Sequence, residues 1–366
     1  MPSEKEDMAS VGKTFWLGVR RSLGLATPPV VLAYRGYGTR REAYLQGHVL
    51  DDRLLRESSP HDSWWQNVRA MLSRFLSVTI PDAVVHIRLF DQEVTTTTDA
   101  DGCFTVRIPF PEQVTPGWYT AFYSVENPLD EGPDELETKE EVLIVSSDVD
   151  YGIISDVDDT IIISHASQTL QKLRLILTKN ASTRLPFPGV AALYQQFQDS
   201  SVEGAPNPFF FISSSEWNLY DFLVEFCAVQ NIPKGVFLLD NLKKGLLDVV
   251  RSGGGTHNHK LEKARSLLHL YPDLSFILFG DSGQRDADLY ATLSREFPDR
   301  ILAIYIREVP NGPSQEEVLN YFQDIPLSEK RICLTAKTEE VAQHAGKLGL
   351  LKEQAVHLVR EAVEGD

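Results

Sequence analysis

The stretch YGIISDVDDTIIIS, residues 151–164, places three aspartates between two apolar runs. Asp156, Asp158 and Asp159 fall within four consecutive positions. A half-buried strand alternates apolar and polar residues, and a solvated loop is not bordered by isoleucine on both sides. The pattern therefore predicts a buried strand that ends in a cluster of carboxylates.

Further apolar runs lie between residues 151 and 310, and their sequences are PFFFI, GVFLL, SFILFG and ILAIYI. Helix-like segments, such as residues 216–230 and 259–271, separate several of them. Strands that alternate with helices predict an α/β unit with a parallel sheet covered on both faces. Ligand sites in such sheets lie beyond the carboxyl ends of the strands.

Polar residues follow three of these predicted strands. Asp156 follows the first, Ser213 follows PFFFI, and Asp281 with Asp286 follow SFILFG. Because the ends of parallel strands share one edge of a sheet, we expect these side chains to converge. Crowded carboxylates repel one another unless a cation intervenes, and Mg²⁺ prefers oxygen ligands. An aspartate can also attack a phosphoryl group, so the cluster indicates phosphoryl chemistry.

The order of these motifs resembles the haloacid-dehalogenase-type phosphatase superfamily, which implies a Rossmann-like catalytic domain. Its DxDxT motif matches Asp156 to Thr160, its serine after a strand matches Ser213, and its GDxxxxD motif matches Gly280 to Asp286. Its lysine matches Lys260 best. Two other lysines upstream of the last motif are weaker candidates for that position, Lys243 and Lys244.

Three longer stretches resemble more narrowly the phosphatidate phosphatase family related to lipins, known from a fungal actin-patch protein and its bacterial homologues. These stretches are SDVDDTI, FFFISSSEWNLYDFL and YPDLSFILFGDSGQRDADLY. The resemblance implies Mg²⁺-dependent hydrolysis of phosphatidate to diacylglycerol and phosphate through an aspartyl-phosphate. It also implies a β-rich region before the catalytic domain.

The resemblance implies a role for each matching residue. Asp156 would be the nucleophile and a Mg²⁺ ligand. Asp158 would be the general acid and base, with its backbone carbonyl also on the metal. Ser213 and Lys260 would bind the phosphate, and Asp281 would complete the metal site.

Three neighbouring residues would support these groups. Asp286 would stand behind the metal ligands or orient Lys260, and Thr160 would hold the nucleophile loop. We interpret Asp159 as a structural residue, and its presence at this position is typical of this branch of the phosphatidate phosphatase family. The stretch RSGGGTHNHK, residues 251–260, predicts a mobile loop that delivers Lys260, in preference to a histidine metal site.

No Asp or Glu occurs from Thr160 to Gln198, although the chain has a net charge of −17. A basic, amphipathic segment beside the nucleophile would attract an anionic membrane surface. The alternative is a helix packed on the core with a solvated basic face. The basic residues of this candidate patch are Lys172, Arg174, Lys179 and Arg184.

We divide the chain into four predicted parts. Residues 1–27 form an amphipathic, membrane-proximal segment, or one that packs on the protein's own surface. Residues 28–147 form an antiparallel β-sandwich with a helical insert at 64–76, and TTTTDADGCFTVRIPF within it reads as a strand, a tight turn and a returning strand. Residues 148–350 form the catalytic domain, and 351–366 a C-terminal helix. Residues 311–366 read as mostly helical.

The acidic net charge argues against a nucleic-acid partner. Three widely spaced cysteines and the absence of a secretory signal pattern predict a cytoplasmic protein, peripheral at a membrane surface. The leading hypothesis is phosphatidate hydrolysis, and protein partners are not specified. The rivals are a phosphatase acting on a soluble phosphomonoester or phosphoprotein, and a catalytically idle lipid-binding module.

Overall fold

A computed structural model describes residues 28–51, 79–126, 137–157, 187–201, 205–240, 257–283, 285–309, 312–325 and 331–365. The chain divides into two compact units between Ser146 and Ser147. The first is a largely antiparallel β unit and the second an α/β unit with a parallel sheet, which confirms the predicted fold class. The four predicted domain ranges themselves stay predictions.

One curved sheet makes up the first unit. Its strands among the described residues are β1 (Pro29–Ala33), β2 (Gly36–Thr39), β3 (Glu42–Asp51), β4 (Val84–Leu89), β5 (Gln92–Thr97), β6 (Cys103–Pro109), β7 (Gly117–Val125) and β8 (Thr138–Ile144). The order is β1-β3-β2-β8-β7-β4-β5, and β6 pairs with the other edge of β3. The end strands β5 and β6 contact each other, so the sheet folds around one shared core. All pairs are antiparallel except β2 with β8.

The strand predicted to return after the tight turn in the first unit is present, but it does not pair with the strand before the turn. Backbone N–H groups of Asp101 and Cys103 donate to Asp99 Oδ1 at 2.8 and 2.9 Å, so the turn itself is tight. However, β5 pairs with β4 and β6 pairs with β3. The two strands that flank the turn therefore diverge to different partners, which local turn chemistry does not specify.

The second unit contains an all-parallel sheet among its described residues. Its strands are β9 (Gly152–Asp156), β10 (Phe209–Glu216), β11 (Val236–Asp240), β12 (Phe276–Asp281), β13 (Ile301–Arg307) and β14 (Ile332–Thr335), in the order β11-β10-β9-β12-β13-β14. Its helices are α1 (Val190–Gln198), α2 (Tyr220–Val229), α3 (His257–Leu270), α4 (Asp286–Glu296), α5 (Gln315–Asn320), α6 (Thr338–Lys347) and α7 (Glu353–Gly365).

The core of the second unit explains why its strands are continuous apolar runs. Every residue of β9 and β12 is buried, because helices cover both faces of the sheet. An aromatic cluster packs α1 against the sheet through Tyr194, Phe209 and Phe279. The described residues of 311–366 are mostly helical as predicted, but they also include the edge strand β14, whose short apolar run pairs with β13.

Several sequence predictions fall outside the described residues. They are the segment 1–27, the helical insert at 64–76, Asp158, Asp159, Thr160, the basic residues Lys172, Arg174, Lys179 and Arg184, and Lys243 with Lys244. Among the helices that the structure describes, none is both long and apolar enough to span a membrane.

Candidate active site

The carboxyl end of β9 delivers Asp156 to the edge of the parallel sheet. Asp156 is 2% exposed and is the last residue of a fully buried strand. Ser155 Oγ donates to the backbone carbonyl of Asp156 at 2.9 Å, and Tyr194 Oη lies 2.8 Å from Ser155 Oγ. Burial raises the pKa of Tyr194, so its hydroxyl stays protonated and can donate to Ser155. This chain holds the backbone at the start of the aspartate cluster.

The neighbouring strand β12 delivers Asp281, and α4 begins a few residues later with Asp286. The backbone N–H of Asp281 donates to Asp286 Oδ2 at 3.2 Å, and the N–H of Gly283 donates to Asp281 Oδ1 at 2.7 Å. Gly280 makes this approach possible, because a Cβ at that position would lie 2.6 Å from Asp286 Oδ2. The GDxxxxD spacing thus folds one acid back onto the backbone of the other.

Asp156, Asp281 and Asp286 form a buried cluster. One carboxylate oxygen from each lies within 4.8 Å of the others. All three side chains are buried in the sheet edge, and they are 2%, 0% and 1% exposed, respectively. The convergence expected from parallel strand ends therefore occurs for these three residues.

Lys260 supplies a positive charge to the cluster. Its Nζ donates to Asp156 Oδ1 at 2.7 Å and to Asp286 Oδ1 at 3.3 Å. Lys260 lies in the first turn of α3, as the helix-like segment 259–271 predicts, and residues 251–256 of the predicted mobile loop lie outside the described residues. A helix carries it because the sequence from His257 onward continues as the helix that packs on β10.

The charges of the cluster suit a divalent cation. Three buried carboxylates carry three negative charges, and one lysine balances one of them. Carboxylates brought this close together repel one another unless a cation lies between them. The available donors are all carboxylate oxygens, which hard cations prefer. The Asp156, Asp281 and Asp286 triad can therefore hold a metal ion.

Tyr290 closes the cluster from the α4 side. Its hydroxyl donates to the carbonyl of Phe279 on β12 at 2.5 Å. Burial raises the pKa of Tyr290 well above its ordinary value, and the charges of Asp286 and Asp156 act in the same direction. The phenol therefore stays neutral beside the carboxylates and serves as a hydrogen-bond donor.

Ser213 lies at the same edge, within β10. Its neighbour Ile212 pairs with Asp156 of β9, which places Ser213 one residue beyond the level of Asp156. Ser213 is fully buried. Lys263 Nζ donates to the backbone carbonyl of Ser213 at 3.1 Å and to Asp240 Oδ1 at 2.6 Å.

Sequence reasoning missed several residues that border the cluster. Ser155 and Tyr194 were hidden in apolar segments, and no motif marked them. Lys263 follows Lys260 by three residues, and that helical spacing was the available signal. Asp240 closes a predicted apolar strand and could have been found by the same strand-end reasoning that singled out Asp281.

Comparisons with known proteins agree with this geometry. Residues 151–308 match the profile of the catalytic domain of phosphatidate phosphatase APP1. Phosphatidate phosphatase APP1 of Saccharomyces cerevisiae is 29% identical over 223 residues, which cover 58% of this chain and 36% of that protein. An uncharacterized protein of Schizosaccharomyces pombe is 27% identical over 169 residues, or 43% of this chain and 25% of that protein. The chain thus matches little more than a third of the length of the first relative and a quarter of the second.

Solved structures add only distant similarity. A carbohydrate acetylesterase from Xanthomonas citri is 12% identical with a TM-score of 0.29, and covers 93% of this chain and 76% of its own. A β-glucuronidase from Parabacteroides merdae is 12% identical with a TM-score of 0.24, and covers 82% of this chain and 34% of its own. At TM-scores this low, neither structure supports a conclusion about this protein. The residues that match the catalytic-domain model of phosphatidate phosphatase APP1, 151–308, contain the whole buried cluster, and the chain is similar there to the yeast protein.

Proposed function

We propose that this protein is a Mg²⁺-dependent phosphatidate phosphatase, which hydrolyses phosphatidate to diacylglycerol and inorganic phosphate. One observation carries the proposal: three buried aspartates and a lysine converge inside the residues that match the APP1 catalytic domain. The motif order resembles the haloacid-dehalogenase type, in which an aspartate is the nucleophile. The reaction would pass through an aspartyl-phosphate on Asp156.

In the first step, a carboxylate oxygen of Asp156 attacks phosphorus and the bond from phosphorus to the glycerol oxygen breaks. Asp158 donates a proton to the leaving oxygen. In the second step, Asp158 accepts a proton from water as the water oxygen attacks phosphorus. The bond from phosphorus to Asp156 then breaks and phosphate leaves. Ser213 and Lys260 hold the other phosphoryl oxygens as charge builds on them.

The charges around Asp156 suit an attack on an anion. Lys260 Nζ lies 2.7 Å from Asp156 Oδ1 and offsets the repulsion between the carboxylate and a phosphate. Asp286 holds both Lys260 and the backbone of Asp281 through its two oxygens. When bound, Mg²⁺ neutralises charge on the phosphoryl oxygens, and Asp156, Asp281 and the carbonyl of Asp158 would hold it.

The proposed substrate lies in a membrane, and the protein would act as a peripheral enzyme at an anionic lipid surface. The acid-free stretch from Thr160 to Gln198 supports this, because it follows the nucleophile in a chain of net charge −17. In this proposal Thr160 holds the nucleophile loop. The basic residues that would meet the lipid are Lys172, Arg174, Lys179 and Arg184.

The test is phosphate release from phosphatidate in mixed micelles, with Mg²⁺ and with EDTA, beside a panel of soluble phosphomonoesters and phosphopeptides. We expect Mg²⁺-dependent release from phosphatidate and a loss of at least about 10³-fold in the D156N variant. Asp273→Asn is the matched control, because Asp273 is exposed in the turn before β12.

Three outcomes would contradict the proposal. Equal release by wild type and D156N would remove Asp156 from the mechanism. Release from soluble substrates alone would favour the soluble-substrate phosphatase. Lipid binding without any release would favour the idle lipid-binding module.

A further inference from the structure

A second, partly buried ion pair lies next to the aspartate cluster, and the proposed mechanism does not use it. Lys263 follows Lys260 by three residues on α3, and its Nζ lies 2.6 Å from Asp240 Oδ1. The same Nζ donates to the carbonyl of Ser213 at 3.1 Å. Lys260 thus bonds to the end of β9, whereas Lys263 bonds to the ends of β10 and β11.

The sheet pairing determines which way the Ser213 carbonyl points, and therefore how Lys263 can reach it. Successive carbonyls of a strand point to opposite neighbours, and that of Ile212 accepts from Val157, which follows β9. The carbonyl of Ser213 therefore points toward β11. The pairing of β10 with β11 changes register after Ile212, and it resumes only at Glu216 with Asp240. Lys263 donates to the carbonyl of Ser213 within this interrupted part of the ladder.

Stability alone does not account for this pair. The Lys263 side chain is 18% exposed and that of Asp240 7%, so both charges lose most of their hydration. Asp240 Oδ2 is buried and has no hydrogen-bond partner within the part of the chain that the structure describes. Apolar residues in place of such pairs are often equally stable or more so. The geometric constraint on Ser213 is what apolar residues would lose.

We propose that Lys263, held by Asp240, is a positioning residue that fixes the Ser213 peptide for phosphate binding. This rests on the proposed function, in which Ser213 holds the phosphoryl oxygens. Lys263 donates one hydrogen bond to the carbonyl of Ser213 and another to Asp240. Together they fix the orientation of the Ser213 peptide plane in β10. Without it, the interrupted segment of β10 would sample other orientations, and the serine hydroxyl would meet the phosphate less often.

The experiment measures binding of inorganic phosphate to the full chain by calorimetry, in Mg²⁺ and in EDTA, and kcat and KM for the best substrate. We expect K263M to raise the phosphate dissociation constant about tenfold, the scale of one hydrogen bond from a charged donor. K263R should restore binding to within about threefold, because arginine can donate to both acceptors. Arg265→Met is the control, since Arg265 lies on the same helix but pairs with Glu262 and Glu296.

A double-mutant cycle separates positioning from a general loss of stability. If Lys263 and Asp240 act as a unit, D240A should weaken phosphate binding about as much as K263M, and the double variant no further. Additive losses would overturn the proposal, as would wild-type phosphate affinity in a folded K263M. If K263M does not fold, D240A takes its place, and wild-type affinity in that variant would overturn the proposal equally.

Phosphate binding keeps this test independent of the proposed reaction. A wild-type protein that binds phosphate yet hydrolyses no phosphatidate would refute the proposed function, and the binding constants would still decide the role of Lys263. A pronounced KM increase with a smaller change in kcat would support positioning of the ground-state phosphate. Unchanged KM and Kd with a lower kcat would contradict it.

Discussion

At the scale of single residues, Gly280 determines whether the cluster can form. A Cβ at this position would lie 2.6 Å from Asp286 Oδ2, 2.7 Å from Asp286 Cβ and 2.8 Å from Tyr290 Cε2. Real Cβ atoms do not come so close to other atoms, so one of these groups must move. The glycine of GDxxxxD is therefore a packing requirement as well as a motif letter.

We expect Gly280→Ala to lower the free energy of unfolding by about 1–3 kcal/mol through overpacking. It should also reduce phosphate release, because Asp286 orients Lys260. Urea unfolding and activity assays check both effects. Gly365→Ala is the control, since nothing lies within 4 Å of its added Cβ. Wild-type stability in G280A would contradict the argument.

At the scale of elements, the site is built from the ends of strands and from the helices that pack beside them. The backbone of β9 ends on Ser155 and Asp156, and Tyr194 of α1 holds it from one side. The first turn of α3 brings Lys260 from elsewhere in the chain. The strand ends were predictable from the apolar runs, because burial on both faces leaves a continuous apolar pattern. The helix partners were not, because their contacts join segments far apart in sequence.

Tyr194→Phe tests the link between α1 and β9. The variant leaves the buried Ser155 hydroxyl without its donor, so we expect a loss of about 1–3 kcal/mol in stability. The Asp156 backbone should become less ordered, which would lower kcat several-fold. Denaturant unfolding and kinetics measure these changes. Tyr119→Phe is the control, because Tyr119 donates to Thr115 at an exposed site. Equal stability of the two variants would refute the link.

At the scale of the whole molecule, the charge balance of the cluster predicts stabilisation by a divalent cation. An ion that binds only the folded state raises stability with concentration. With Mg²⁺ at about 100 times its dissociation constant, we expect the melting temperature of the second unit to rise by roughly 5–10 °C. EDTA should reverse the rise. D281N should abolish it and D273N should retain it; equal shifts in both variants would argue against the site.

The first unit has its own pH response, centred on His48. Its side chain is 1% exposed and Tyr34 Oη lies 2.7 Å from Nδ1. Burial lowers the pKa of His48 from 6.5 to about 4, although Asp99 and Asp101 act in the opposite direction. Between these values the unfolded chain binds a proton that the folded chain does not. Stability is therefore complete above about pH 6.5 and declines as the pH falls toward 4.

We expect the first unit to lose about 3 kcal/mol of stability across that pH range. Hydrogen exchange of β1 and β3 at pH 7 and pH 4, corrected for intrinsic rates, measures the loss. His48→Gln should flatten the response, because glutamine does not titrate. His86→Gln on the exposed face of β4 controls for the substitution itself. An unchanged pH response in H48Q would remove His48 as the cause.

The sequence by itself determined the order of the two units, five of the six described strands of the parallel sheet and the edge where Asp156, Asp281 and Asp286 meet. It could do so because strand burial, turn chemistry and motif spacing are local properties of the chain. Only the tertiary structure decided that β5 and β6 take different partners and that Lys260 contacts both Asp156 and Asp286. It also decided that Lys263 bonds to the carbonyl of Ser213. These contacts depend on how distant segments pack, and the free energy of that packing cannot be inferred from any one stretch of sequence.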